Sequence, residues 1–249
     1  MLKFFRKIRC NLMETGKTGK YLKYAIGEII LVVIGILIAL SINNWNENRI
    51  SRIKELKYFE GIKSDLLKDI ISLDQHLKSR ANKIESARDI IEHIEGKPIE
   101  DYIELNNKIF DIVASGHFKE TNITFDELKS SGNLNIISND SIKNTLLELQ
   151  SLYESNDASR AHELYDYNNY VSKPYFNTVD LHPSLLLNEN SQKKGNIKKE
   201  QIDELLKSVA FKNGCVVTIW MSQGYLANFP IIKEKSLSII NLIEKDLNK

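Results

Sequence analysis

The stretch from Tyr24 to Arg49, YAIGEIILVVIGILIALSINNWNENR, decides how the rest of the chain is read. Ile29 to Leu40 is apolar throughout, with Gly35 its one small interruption. Extended to Ala25 and Ile42, the run makes about 18 residues, or roughly 27 Å of helix, close to the thickness of a bilayer core. Glu28 stands near its start, where a carboxylate can lie at the headgroups or be neutralised; at the bilayer centre it would cost several kcal/mol. Trp45 on one flank and Tyr21 and Tyr24 on the other suit the two interfaces. The rival reading is a secretion signal, with a basic n-region, a short h-region and Ala39-Leu40-Ser41 as the small-x-small cleavage site. The long amphipathic leader (Leu2, Phe4, Phe5, Ile8, Leu12) and a helical pattern running on to Trp45 favour an uncleaved transmembrane helix.

Charge divides the chain around this segment. The first 24 residues carry seven Lys or Arg (Lys3, Arg6, Lys7, Arg9, Lys17, Lys20, Lys23) against one acid, Glu14. From residue 46 onward there are 27 basic and 31 acidic residues, so the larger part is mildly acidic. A basic leader on an acidic body argues against nucleic acid as a partner and for a membrane-flanking leader. Within about twenty residues of the run, six basic residues precede it and four follow. That bias predicts a cytoplasmic N-terminus and a C-terminal body on the far side of the membrane. The expected organisation is a leader, 1–24, a transmembrane helix, 25–45, and an extracytoplasmic domain, 46–249. Cys10 and Cys215 would then be kept apart by the bilayer. Cys215, beside Val216 and Val217, reads as a small buried hydrophobe.

The order MLKFFRKIR, then KYLKYAIGEIILVVIGILIALSINNWNENR, then TFDELKSSGNL resembles a family of small membrane proteins of Bacteroidota whose shared domain has no assigned function. The resemblance covers the leader, the apolar segment and the middle of the body, and is weaker after about Pro174. It implies a single-pass envelope protein of a diderm bacterium, and with the charge bias the expected place is the inner membrane with the domain in the periplasm. No activity and no catalytic residue come with it.

The body reads as all-α, a long-helix bundle continuing from the transmembrane helix. Only four prolines and eleven glycines punctuate 249 residues. Leu66, Ile70, Leu73, Leu77, Ile84, Ala87, Ile91 and Ile94 recur at steps of three and four, with Leu56 and Phe59 upstream on the same stripe. Lys63 and Arg80 interrupt this coiled-coil-like seam, Arg80 filling one of its steps. Gly61 reads as an isolated weak point and Gly96-Lys97-Pro98 as the stop. A second helix is expected over Ile99 to Ala114, with Ile103, Ile109, Phe110 and Val113 inward, ended by Ser115-Gly116. Thr124 and Glu127 have the spacing of a capping box, Gly132 ends that helix, and Asn139 or Ser141 caps the next. Leu146, Leu149, Leu152 and Tyr153 give its face. The tyrosine-rich ELYDYNNYVSKPYFN reads either as a partner-facing surface or as a packed helix end closed by Pro174. The lysine-rich stretch around Gly195 is a loop. Further helices are expected over Ile202–Phe211, Val216–Ala227 and Ile231–Leu247, with a break near Pro230.

Chemistry-bearing patterns are sparse. His76, His93, His117, His162 and His182 show no metal-ligand spacing, and there is no phosphate loop or nucleophile elbow, so no cofactor or metal is expected. Asp65 and Asp69, four apart beside Lys68, read as a solvated face. The sharpest constellation lies in the apolar helix, where Gly35 and Ala39 form a small-x-x-x-small step and Glu28 occupies a neighbouring row. These three residues could join two copies into a homo-oligomer, or the helix could be a lone anchor with its acid at the headgroups. The expectation is a non-enzymatic envelope protein that binds or scaffolds another envelope protein. An extracytoplasmic small-molecule sensor acting through a partner is the alternative, and a membrane-tethered hydrolase a third.

Overall fold

The computed structural model describes residues 18–114, 116–182 and 197–248. The leader up to residue 17 with Cys10, Ser115, and the loop around Gly195 lie outside these residues, as do the side chains of Tyr21 and Tyr24. Every regular element among the described residues is helical, so the chain is all-α. The elements are α1 (Thr18–Ile94), α2 (Tyr102–Val113), α3 (Ile123–Ser130), a 3-10 turn (Asn133–Ile136), α4 (Asp140–Asp166), a π-helical turn (Tyr167–Ser172), α5 (Lys173–Thr178), α6 (Lys199–Leu206) and α7 (Val209–Leu247). The chain divides into two compact units, Met1–Lys57 and Tyr58–Lys249.

In the first unit, α1 carries the apolar run. Every residue from Ile29 to Leu40 is exposed, and none of the most apolar 18-residue window is buried. The helix is long and apolar enough there to cross a membrane. Past the run the surface turns polar, with Asn43 donating to Glu47 at 2.8 Å.

The second unit packs two cores. One gathers Phe59, Leu66 and Leu73 of α1, Phe125 and Leu128 of α3, Leu146 and Tyr153 of α4, and Phe229, Ile232 and Ile239 of α7. The other gathers Ala87 and Ile90 of α1, Leu105 and Ile109 of α2, Tyr175 of α5, Ile202 and Leu205 of α6, and Phe211 and Cys215 of α7. Three ion pairs mark how α1 and α7 meet: Lys63–Glu244 at 2.5 Å, Asp74–Lys233 at 2.6 Å and Glu95–Lys212 at 3.0 Å. As the α1 number rises the α7 number falls by the same step, so the two helices run antiparallel in one register. Each exposed pair adds only a few tenths of a kcal/mol, so the apolar stripes supply the stability and the pairs mark the alignment.

Local stops follow residue chemistry. Gly96, at φ 111°, and Gly132, at φ 71°, sit in the left-handed region that glycine enters without penalty, just past the ends of α1 and α3. Asn139 caps α4 by accepting from the Ser141 and Ile142 amides.

Several expectations are corrected. α2 begins at Tyr102, not Ile99, because the Asp101 carboxylate accepts from the Ile103 and Glu104 amides and sets the start. Leu105, Ile109 and Ile112 form its better-populated stripe, so Ile103 and Phe110 stay exposed. The Thr124–Glu127 capping box does not form: Asn122 is the N-cap of α3, and Thr124 bonds elsewhere. α6 ends at Leu206, and α7 begins at Val209 with Ser208 as its cap. α7 then runs through Pro230 unbroken. Proline inside a helix costs about 3 kcal/mol, but Pro230 is on the exposed face while Tyr225, Phe229 and Ile232 are buried, so packing holds the helix together. Gly61 is a close approach and not merely a weak point, since a Cβ there would lie 2.7 Å from the Thr124 methyl.

Candidate functional site: a polar layer between two apolar cores

The stripe of α1 that builds both cores also carries ionisable side chains to the same depth. Asp65, Asp69, Arg80 and Lys83 follow helical spacing and are all buried. The solvated reading of Asp65 and Asp69 is therefore wrong. Asp69, 1% exposed, accepts from the Thr121 amide at 2.7 Å and from the Tyr153 hydroxyl at 2.8 Å. Asp65 accepts from the Thr124 amide at 3.0 Å and the Thr124 hydroxyl at 2.7 Å. One α1 carboxylate thus serves the first turn of α3, whose own cap residue, Asn122, makes no side-chain capping bond to that turn's amides. The other holds the linker that leads into it. Burial raises Asp69 above the ordinary carboxylate range despite the bonds it accepts, and raises the Tyr153 phenol as well.

Between the cores, Arg80 and Glu163 of α4 form a two-armed ion pair, the second arm at 2.9 Å. The guanidinium carbon also lies 4.2 Å from the centre of the Tyr225 ring on α7. His76 sits edge-on to Phe118 and Phe229, and burial together with the nearby Arg80 charge lowers its pKa, so the ring is neutral at pH 7. Ser86 donates to Asp111 at 2.8 Å. Lys83 is buried too, 7% exposed, with the Glu163 and Asp111 carboxylates near enough to attract its ammonium. Burial and the Arg80 charge bring its pKa down to about 8. The folded state therefore carries the cost of a buried charge below about pH 8, and that cost fades as the pH rises toward the ordinary value of 10.5.

Lys83 opens onto a cavity of about 60 Å³ bordered by Gly116, His117, Arg160, Glu163, Leu164 and Tyr167. A smaller one of about 20 Å³ shares Lys83, Glu163 and Tyr167 and reaches Gly214 and Thr218 of α7. The π-helical turn adjoins both. It brings the Tyr170 carbonyl so close to α7 that a Cβ on Gly214 would lie 2.3 Å from the oxygen, which is why glycine stands there. The tyrosine-rich stretch divides accordingly. Tyr175 is fully buried and Tyr167 donates to the Val113 carbonyl at 2.6 Å, whereas Tyr165 and Phe176 are exposed. Pro174 does not close a helix; it stands at the start of α5.

Cys215 is fully buried, and burial pushes its thiol up to about 12, as a small core hydrophobe requires. No group of three His, Cys, Asp or Glu that could hold a metal occurs among the described residues. Of the residues singled out in the apolar helix, Ala39 is exposed, a Cβ on Gly35 would meet nothing within 4 Å, and Glu28 is half-buried.

The polar layer went unread although one cue was visible. Arg80 occupies a step where the seam calls for an apolar residue, and a charge at such a position demands a partner. That the partner is Glu163, 83 residues away, no local spacing reveals.

These features define a class, an all-helical protein with an exposed apolar N-terminal helix and a two-core helical unit. The chain belongs to the family of unknown function DUF6090, whose family model matches residues 28–214. The match begins inside the apolar run and ends at Gly214, so it extends beyond the point where the resemblance faded and leaves out the leader. No curated protein and no solved structure matches the chain.

The Asp69 geometry gives a graded expectation. Asp69→Ala strands the Tyr153 hydroxyl and the Thr121 amide in the core and should cost about 2–4 kcal/mol in urea denaturation of the full-length protein. Asp69→Asn keeps an acceptor and a polar partner for Tyr153. Because burial raises the Asp69 pKa, the Asn variant should lose less stability than the Ala variant at pH 7. Equal losses in the two variants would show that the ionised carboxylate is required.

Proposed function

We propose that this chain is a single-pass membrane protein whose helical unit is a non-enzymatic binding or scaffolding module of a diderm bacterial envelope. The observation that supports this most is the uncovered run from Ile29 to Leu40. Such a surface is longer than any isolated patch a water-soluble monomer ordinarily shows, while a bilayer accommodates it at no cost. The charge asymmetry around the run supports a cytoplasmic leader and a periplasmic unit. Buried carboxylates and arginine in the second unit are spent on holding helices together, which suits an interaction module.

Membrane fractions extracted with alkaline carbonate should retain the full chain with its original N-terminus. External protease added to spheroplasts should digest the helical unit. A soluble form beginning at Ile42 would mean a cleaved signal, and a protected unit would mean the reverse orientation.

The same helix is proposed to self-associate through Gly35 and Ala39, with Glu28 as a polar contact. The open space at Gly35 leaves room for a second backbone. A hydrogen bond of this kind adds roughly 1–2 kcal/mol in model helices. Residues 21–47 in a membrane-helix dimerisation reporter should therefore give a strong response that Gly35→Ile abolishes. Identical responses from the two would leave the helix an anchor alone.

A further inference from the structure

We infer that the exposed face of α7 centred on Trp220 is an interface between two copies of this chain, with their α7 helices side by side, parallel and in register. The inference concerns the second unit only and is separate from the proposed contact at Gly35 and Ala39.

Two stripes run along α7. Phe211, Cys215, Tyr225 and Phe229 face the cores. On the outside, Val209, Asn213, Val216, Trp220, Gln223 and Ala227 are all exposed, and they recur at alternating steps of four and three. That is the spacing of a coiled-coil seam, here turned to solvent, with Trp220 66% exposed at its middle. No Asp, Glu, Lys, Arg or His occurs from Asn213 to Ile232, although 27% of the chain is charged. The buried half of a helix needs no charge, but an outer face that meets only water ordinarily carries several.

Gly224 is a second and independent sign. It lies inside α7, where glycine is the costliest residue after proline. Gly214 is forced by the Tyr170 carbonyl, but nothing within the chain calls for Gly224: its φ is not positive and a Cβ would meet nothing within 4 Å. It is exposed one turn beyond Trp220, where bare backbone leaves room for the indole of a neighbouring copy.

The polar members of the stripe select the occupant. Asn213 and Gln223 are amides, each both donor and acceptor, so each can bond to the same residue of a second copy. A lysine or glutamate in either place would repel its counterpart. An antiparallel pair that joined Asn213 to Gln223 would carry Ile231 past the start of α7 at Val209, so the parallel arrangement uses more of the stripe. The lysines that border the face, Lys212 and Lys233, are paired within the chain to Glu95 and Asp74. A face resting on lipid would instead show lysine or arginine among its polar residues. The stripe is roughly 33 Å long and about 10 Å wide, so each copy offers about 300 Å², short of the ~800 Å² per partner of a standard interface. The contact is therefore weak in dilute solution and forms where copies are concentrated.

The test is disulfide trapping in intact cells that express the full-length chain with Cys10→Ser and Val216→Cys. Cys215 does not compete, because it is fully buried and its thiol is pushed up to about 12. Oxidation should give a disulfide-linked dimer that the chain with Cys10→Ser alone does not give. Adding Trp220→Glu, a change at an exposed site, should leave the Tm of the purified protein within a few degrees and cut the dimer about tenfold or more. Gly224→Leu should raise Tm, leucine being the better helix former, and cut the dimer as well. No dimer from Val216→Cys would overturn the proposal, as would a yield that neither added change lowers. A disulfide to a different protein in place of a second copy would overturn the choice of occupant. The reporter for the apolar helix contains none of these residues, so the two contacts stand or fall separately.

Discussion

The Arg80 guanidinium lies on α1 between Leu77 and Ile84, 2% exposed, on a stripe that otherwise feeds the two cores. A charge at that depth is tolerated only if its partners are already in place. Glu163 supplies both carboxylate oxygens and Tyr225 a ring face, so α4 and α7 must each bring one particular residue to one point on α1. Apolar packing alone would accept a helix shifted by a turn, because one leucine replaces another with little loss. A two-armed ion pair accepts no such shift. The cost of desolvating both ions leaves the pair with little net stabilisation, and its contribution is to select one alignment among several.

That constraint explains why the second unit has two cores and not one. Core residues of α1 end at Leu77 on one side of the layer and resume at Ala87 on the other, and on α7 Ile219 packs against one core and Met221 against the other. The surface pairs Lys63–Glu244, Asp74–Lys233 and Glu95–Lys212 follow the register that the buried pair selects. The Asp65 and Asp69 carboxylates repeat the strategy at the α3 end, where burial of an acid is matched by backbone and hydroxyl donors.

Much of the architecture was legible because it depends on periodicity and local stereochemistry. The exposed apolar run, the seam through Leu66 and Leu73, the stops at Gly96 and Gly132 and the Asn139 cap each rest on a few neighbouring residues. The readings that failed depend on distant ones. Asp65 and Asp69 look solvated beside Lys68 until α3 and Tyr153 are folded over them. Thr124 looks like a capping residue until Asp65 claims its hydroxyl, and Pro230 looks like a break until its buried neighbours are counted. The polar layer was hidden for the same reason: Arg80 was seen, but Glu163 and Tyr225 come from helices whose pairing no local spacing encodes.

The central claim, that the Arg80–Glu163 pair fixes the alignment of the bundle, is tested most directly by a double-mutant cycle. Stability would be measured by urea denaturation of the full-length protein carrying Arg80→Met, Glu163→Leu, or both. Glu163→Leu leaves Arg80 buried without its partner and is expected to cost about 3 kcal/mol or more, Arg80→Met leaves the half-buried Glu163 unpaired and should cost less, and the double variant should lose less than the two single costs added together. Costs that simply add would contradict the account, for they would mean that the two side chains act independently and that apolar packing alone sets the register.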